Sequence, residues 1–177
     1  MKIKESFEED TEYYGDENKF RDDLAKHLEG KTISTESPVS YADINKIETN
    51  KKHPTKKCRP DIKIYHTGLK LKWRELSNPF FIECKDGRGF QKDLLQLLRY
   101  KYEKGEGGSL EKYGKYHVGY ASPRSVLKDR PFKNSDYYSY QQFERTLWHL
   151  GLGLLKKGYR EEKLTLTFNE KEQVLII

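Results

Sequence analysis

Residues 80–85 (FFIECK) constrain the fold of this chain more than any other part of its sequence. The apolar run at their start predicts a buried strand, yet Glu83 and Lys85 lie on the same strand. Because alternate strand residues share a face, Glu83 and Lys85 point to one side and Cys84 points to the other. A carboxylate and an ammonium close to a sheet core cost several kcal/mol each unless something compensates for their burial. The sequence therefore predicts a sheet with a charged site where this strand ends.

A second carboxylate is expected beside that site. Residues 61–66 (DIKIYH) are also predicted to form a strand. If the two strands pair as an antiparallel hairpin, the start of the first meets the end of the second, and Asp61 lies beside Glu83 and Lys85. Two convergent carboxylates repel each other unless a cation lies between them, and such oxygen ligands suit Mg²⁺ or Mn²⁺. The backbone carbonyl of Cys84 is a candidate further ligand. With Lys85 to orient water or neutralise charge, this chemistry is suited to phosphodiester hydrolysis.

Helical spacing and turn signals predict the remaining elements. Asp16 is a candidate N-cap and Gly30 a C-terminal stop for a helix over residues 16–30. Short β-like pieces follow in 31–47, a turn or extended hairpin arm in 67–78, a second helix over 90–103 and a strand over 116–122. An irregular basic loop is expected to about residue 138, and a third helix over 141–157, with Phe143, Leu147, Leu150 and Leu154 on one face. The chain should close with a hairpin over 164–177.

Length and composition indicate one folded α/β domain over residues 1–177, with a core over about 16–122 and a C-terminal helix and hairpin over 139–177. Aromatic residues reach 13%, too many for a disordered chain. The net charge of +6 favours a polyanionic partner such as nucleic acid, although it could equally serve solubility. The two cysteines, Cys58 and Cys84, provide neither a disulfide framework nor a tetrahedral zinc site. No apolar run suggests a membrane span or a signal peptide, so an intracellular, cytoplasmic protein without a membrane partner is expected.

Two motifs resemble those of a known enzyme superfamily. Pro60-Asp61 before one strand, and Glu83-Cys84-Lys85 at the end of the next, are similar to the motif of the PD-(D/E)XK nucleases. Other E-x-K triplets occur in this Lys- and Glu-rich chain, but only Glu83-Cys84-Lys85 ends an apolar strand, and the Pro-Asp pair is unique. The second helix carries Gln96 and Tyr100, which share a helix face and resemble the QxxxY motif of the RecB-like branch. The resemblance covers roughly residues 16–122.

The resemblance implies a restriction-endonuclease-like fold, with a central mixed β-sheet flanked by helices. That superfamily places a helix, a strand hairpin carrying the acidic site, a second helix and a further strand in this order. It implies catalytic roles for Asp61, Glu83, Lys85, Gln96 and Tyr100, and metal ligation by Asp61, Glu83 and the Cys84 carbonyl.

Two further expectations come from comparing this chain with that superfamily. Many relatives carry an extra acidic residue in the first helix, and Glu17 is the candidate, although it could instead favour the helix N-terminus through the macrodipole. Relatives with an iron–sulfur cluster use four cysteines, so two cysteines predict no cluster here.

Basic residues near the proposed site are candidate nucleic-acid contacts. Most flank the Asp61 strand, where the simpler interpretation is a solvated charged loop. Those residues are Lys51, Lys52, Lys56, Lys57 and Arg59, and Arg99 on the second helix is a further candidate.

The function expected from these residues is that of a Mg²⁺- or Mn²⁺-dependent deoxyribonuclease. Two alternatives remain open. One is a branched-DNA (Holliday junction) resolvase on the same fold, which would be expected to act as a homodimer. The other is a nucleic-acid-binding protein that has lost catalysis.

Overall fold

The computed structural model describes residues 3, 7, 13, 16–36, 39–52, 60–72, 74–85, 90–102, 116–127, 134–158, 163–168 and 175–177. Of the predicted basic residues, Lys56, Lys57 and Arg59 lie outside these ranges, as does Cys58. Within the ranges, no helix is both long and apolar enough to cross a membrane.

The described chain contains four helices and eight strands. The helices are α1 (Glu17–Leu28), α2 (Phe90–Lys101), α3 (Pro123–Leu127) and α4 (Asn134–His149). The strands are β1 (Thr32–Thr35), β2 (Tyr41–Thr49), β3 (Ile62–His66), β4 (Phe80–Cys84), β5 (Val118–Ala121), β6 (Gly153–Lys157), β7 (Leu164–Thr167) and β8 (Leu175–Ile176). A 3₁₀ turn, Asn50–Lys52, follows β2 directly.

The strands form one mixed sheet. Each strand pairs with the next in the chain, and β8 also pairs with β1, so that the pairings close on themselves. β5 runs parallel to both β4 and β6, whereas the other neighbours are antiparallel. The predicted α/β class with a mixed sheet is therefore confirmed.

Helix α1 begins and ends where the sequence predicts. The side chain of Asp16 accepts a hydrogen bond from the backbone N–H of Lys19 at 3.0 Å, which satisfies a donor that the first turn leaves unpaired. Gly30 has a φ of +72°, a conformation that glycine adopts without the steric cost of a Cβ. The apolar stripe of α1, represented by Phe20 and Leu24, is fully buried in the core.

Strand β4 separates two hydrophobic clusters, as its alternating pattern predicts. Phe80, Ile82 and Cys84 belong to the cluster that also contains the apolar stripe of α1. Phe81 belongs to the other cluster, together with side chains of α2 and α4 such as Leu97. Helices therefore pack on both sides of the central strand, and Glu83 and the following Lys85 lie on the Phe81 side.

Two predictions for the C-terminal third are wrong. The loop expected to about residue 138 contains α3 and the beginning of α4. The helix predicted over 141–157 ends at His149, and β6 follows at Gly153. Gly151 has a φ of +68°, which ends the helix. Leu154 lies on β6, yet it packs in the same cluster as Phe143 and Leu147, since an apolar side chain can reach this core from either element.

The C-terminal hairpin is confirmed by the pairing of β7 with β8. Thr165 lies opposite Ile176, and Leu166 lies opposite Leu175. β6 also pairs antiparallel with β7 and parallel with β5, which the sequence analysis did not anticipate.

Candidate functional site

The strand pairing brings Asp61 and Glu83 together. Ile62 lies opposite Ile82 in the antiparallel pair of β3 and β4, so Asp61 lies next to Glu83. The backbone N–H of Asp61 donates to Oε2 of Glu83 at 3.2 Å, and the backbone N–H of Cys84 donates to Oδ2 of Asp61 at 2.8 Å. Each carboxylate thus accepts a hydrogen bond from the backbone of the other strand, and the predicted convergence is present.

Glu83 is the most perturbed carboxyl group of this site. Its exposed fraction is 2%, although it carries an ionisable side chain. Burial, and then the nearby charge of Asp61, raise its pKa from 4.5 to about 9, while the Lys85 ammonium lowers it in part. Because desolvation and a like charge both oppose ionisation, Glu83 carries its negative charge at neutral pH only if more positive charge comes close.

A chain of polar contacts connects Glu83 to helix α2. The Lys85 ammonium lies 3.5 Å from Oε1 of Glu83 and donates to Oε1 of Gln96 at 3.0 Å. Nε2 of Gln96 donates in turn to the hydroxyl of Tyr100 at 2.9 Å. Gln96 and Tyr100 lie one turn apart on α2, so the helix fixes the order of these contacts. The structure therefore brings five predicted residues (Asp61, Glu83, Lys85, Gln96 and Tyr100) into one connected group.

Two residues outside the predicted set extend this group from Asp61 in the opposite direction. Nδ2 of Asn50 donates to Oδ1 of Asp61 at 2.8 Å, and its backbone N–H donates to the carbonyl of Asp61 at 3.1 Å. Nη1 of Arg21, on α1, donates to Oδ1 of Asn50. The β2–β3 register, in which Thr49 lies opposite Ile62, would have located Asn50, but that register includes an irregularity between Ile44 and Lys46 and cannot be read from local sequence.

Glu17 lies in the first turn of α1 and is exposed. In the part of the chain that the structure describes, no group of three or more His, Cys, Asp or Glu side chains could hold a metal ion. A metal-binding role for Glu17 stays a prediction. Burial is the main reason that the pKa of the Cys84 thiol is raised, and the negative charge of Glu17 raises that pKa further, so Glu17 does act electrostatically on this part of the site.

The Cys84 side chain is fully buried and faces away from Glu83. Burial raises its pKa well above the ordinary value, and the charges of Asp61 and Glu83 raise it further. A thiol that stays protonated in an apolar core is a packing group rather than a nucleophile, so only the backbone of Cys84 is a candidate for the site.

The predicted basic contacts are only partly described. Lys51 is exposed, with its ammonium 3.6 Å from Oδ2 of Asp22, and Arg99 is exposed on α2. Lys52 lies in the 3₁₀ turn after β2.

A cleft of about 440 Å³ borders the site where β2 ends and β3 begins. Asn50 and Pro60 line its end nearest Asp61, and three lysines from three different elements line the rest. These lysines are Lys26 of α1, Lys46 of β2 and Lys63 of β3. Glu29 and Glu48 also line the cleft, and Glu48 pairs with Lys46 at 2.8 Å. The cleft therefore combines lysine side chains with direct access to the Asp61 strand.

Comparison of the chain with protein-family models, with curated proteins and with solved structures finds no match.

Proposed function

We propose that this chain is a metal-dependent nuclease that hydrolyses DNA phosphodiester bonds on a restriction-endonuclease-like fold, resembling the RecB-like nucleases. The observation that carries the proposal is the contact between Asp61 and Glu83 across β3 and β4, with Lys85 beside Glu83. The order α1, β1–β2–β3–β4, α2, β5 supports it, because the superfamily named above places a helix, an acidic hairpin (here β3–β4), a second helix and a further strand in that order.

The residues present fit a divalent cation. Asp61, Glu83 and the Cys84 carbonyl would hold Mg²⁺ or Mn²⁺, which prefer oxygen ligands and keep several waters. The raised pKa of Glu83 supports this assignment, because a nearby cation favours the ionised form that burial and Asp61 oppose. When bound, such an ion acidifies water and offsets the negative charge that develops on a phosphate oxygen.

Lys85 orients the attacking water or neutralises charge on the scissile phosphate. Its ammonium is held between Glu83 and Gln96, so its position does not depend on a free, flexible side chain. Gln96 is itself oriented by Tyr100, because a glutamine that accepts from Lys85 with its oxygen must donate with its nitrogen. The role of Gln96 and Tyr100 is therefore to hold the Lys85 ammonium at the ends of the two strands.

The cleft beside Asp61 suits the phosphate backbone of the substrate. Lys26, Lys46 and Lys63 can neutralise successive phosphates, and contacts of this kind bind DNA without reading its sequence. Arg99 and Lys51 are exposed and can add to this attraction. DNA binding should therefore weaken as the salt concentration rises.

The proposal is tested with purified protein, labelled linear, circular, single-stranded and branched DNA, and Mg²⁺ or Mn²⁺. We expect metal-dependent cleavage, and a loss of at least about 100-fold in Asp61→Ala and Lys85→Ala. Lys156→Ala is the matched control. Lys156 lies on β6 and pairs with Glu144 of α4, so this variant should cleave like the wild type.

Equal cleavage by wild type, Asp61→Ala and Lys85→Ala would refute the assigned site. DNA binding without cleavage of any substrate would refute the enzymatic function and support a nucleic-acid-binding protein.

A further inference from the structure

We propose that Asn50 and Arg21 position the Asp61 carboxylate for its divalent cation, and that Arg21 acts through Asn50. This inference rests on the proposed nuclease function and assigns roles to two residues outside the motifs that suggested it. Both are positioning residues, since neither is required to touch the ion or the substrate.

Both oxygens of Asp61 are held by N–H donors. Oδ2 accepts from the backbone N–H of Cys84 at 2.8 Å, and Oδ1 accepts from Nδ2 of Asn50 at 2.8 Å. One donor comes from β4 and the other from the turn after β2, so the plane of the carboxylate is fixed from two sides. Each carboxylate oxygen can accept a second bond, which leaves capacity on both oxygens for a cation.

Asn50 can perform this task only in one orientation of its amide group. A flipped amide would present its oxygen to the oxygen of Asp61, and two acceptors repel each other. The Asn50 backbone N–H also donates to the Asp61 carbonyl at 3.1 Å, which holds the residue at this distance whichever way the amide points. Something else must therefore select the donating orientation.

Arg21 makes that selection. Its guanidinium carries only donors, so the Asn50 atom that faces it must be the oxygen. With Oδ1 turned toward Arg21, Nδ2 is turned toward Asp61. The direction of both hydrogen bonds thus follows from the chemistry of one side chain on α1.

Arg21 is itself rigidly held. Its exposed fraction is 6%, and its other nitrogens contact Oδ1 of Asp22 at 3.0 Å, while Nη1 also donates to Oδ1 of Asn18 at 3.1 Å. A buried guanidinium with fixed acceptors cannot rotate away when a cation approaches. Helix α1 therefore influences the metal site through Arg21, independently of any ligand that it supplies.

The experiment compares four variants with the wild type: Asn50→Leu, Arg21→Met, the double variant and Asn18→Leu. Leucine has the shape of asparagine but no donor, and Asn50 is half-buried, so that substitution should be tolerated. Asn18 is the matched control, because it shares Arg21 as a partner but makes no hydrogen bond to Asp61. The measurements are the Mn²⁺ dissociation constant of metal-free protein by calorimetry, the thermal midpoint in EDTA, and kcat and KM for DNA cleavage.

We expect Asn50→Leu to weaken Mn²⁺ binding by about tenfold, in line with the loss of other groups that orient metal ligands. Its thermal midpoint in EDTA should stay close to that of the wild type, and its KM for DNA should be unchanged at saturating metal. Arg21→Met should weaken Mn²⁺ binding to a similar extent, and the double variant should be no weaker than Asn50→Leu alone, since the two residues act in series. Asn18→Leu should bind Mn²⁺ within about twofold of the wild type, because Asn18 is exposed and Asp22 still holds two nitrogens of Arg21.

The inference fails if Asn50→Leu binds Mn²⁺ within about twofold of the wild type, if Asn18→Leu loses as much affinity, or if the two losses add in the double variant. If Arg21→Met does not fold, the comparison of Asn50→Leu with Asn18→Leu decides alone. Failure of the proposed function looks different, because the wild type itself would neither bind Mn²⁺ nor cleave DNA, and both proposals would then be refuted.

Discussion

Replacing Glu83 by glutamine should make the metal-free protein more stable at neutral pH. The wild-type side chain is buried beside Asp61, and its pKa in the folded protein is about 9. Glutamine has the same shape, can still accept the N–H of Asp61 with its oxygen, and has no proton to lose. The substitution therefore removes an ionisation penalty, while its amide nitrogen replaces Oε1 beside the Lys85 ammonium and loses that contact.

The size of the effect follows from proton linkage. In the unfolded chain the carboxyl ionises near its ordinary pKa of 4.5, whereas in the folded protein it holds its proton until about pH 9. The unfolded state thus loses its proton first, and stability falls as the pH rises from 4.5 to 9. At pH 7, which lies about 2.5 units above the pKa of the carboxyl in the unfolded chain, the loss of stability is roughly 3 kcal/mol. For a domain of this size that is a rise in the thermal midpoint of about 6–12 °C.

The assay is urea unfolding of wild type and Glu83→Gln between pH 5 and 9 in EDTA, repeated with saturating Mn²⁺. Without metal, the advantage of the variant should be small at pH 5 and should grow with pH. With Mn²⁺, the wild type should recover stability, because the ion binds the folded state through an ionised Glu83, and the variant should gain much less. Glu48→Gln is the matched control. Its carboxylate is only partly buried, and a hydrogen bond from Lys46 lowers its pKa, so that its loss should give no stabilisation.

A variant less stable than the wild type at pH 8 in EDTA would refute the reasoning, as would an advantage that does not change with pH. In either case the burial of Glu83 would be compensated by protein groups alone, and its raised pKa would give no support to a cation.

Three further substitutions test other parts of the structure. Burial lowers the pKa of His117 to about 3, so this residue should cost the wild type roughly 2 kcal/mol of stability as the pH falls from 6.5 to 4.5, against the gain from Glu83 over the same range; the stability of His117→Asn relative to the wild type should therefore rise by about that amount in urea unfolding, and a difference that does not change with pH would contradict this. Tyr100→Phe removes the hydroxyl that accepts from Gln96, and should slow cleavage roughly fivefold, about 1 kcal/mol, with little change in thermal midpoint; an unchanged rate would contradict its role. Gly151→Ala places a Cβ at a φ of +68° and against Nζ of the buried Lys101, so it should cost more than the about 1–2 kcal/mol of the backbone conformation alone, whereas equal stability would show that the turn and Lys101 both relax freely.

The hairpin that carries the site could be predicted because its pattern is local. The two-residue period of 80–85 assigns Glu83 and Cys84 to opposite faces, and antiparallel pairing with 61–66 then brings Asp61 to Glu83. The same holds for Gln96 and Tyr100, whose spacing of four fixes a shared helix face. These relations depend only on the geometry of one strand pair and one helix.

The missed elements depend on contacts between distant segments. The residues of β6 continue the leucine pattern of α4, and only pairing with β5 and β7 makes them a strand. Arg21 and Asn50 are 29 residues apart and belong to no sequence motif. They meet because α1 packs against β2, and neither residue type predicts such a contact from the sequence.

The alternation along β4 has a consequence for how this segment can change. Its even-numbered residues fill the apolar cluster that contains α1, whereas Phe81 and Glu83 face α2 and the charged site, so that substitutions on one side leave the other side in place. Insertion or deletion of a single residue within the strand would instead exchange the two sets, moving Glu83 into the apolar cluster of α1 and an apolar side chain into the charged site. This segment should therefore accept conservative replacements but no change in length, and length variation between active variants should be confined to the connections outside the strand.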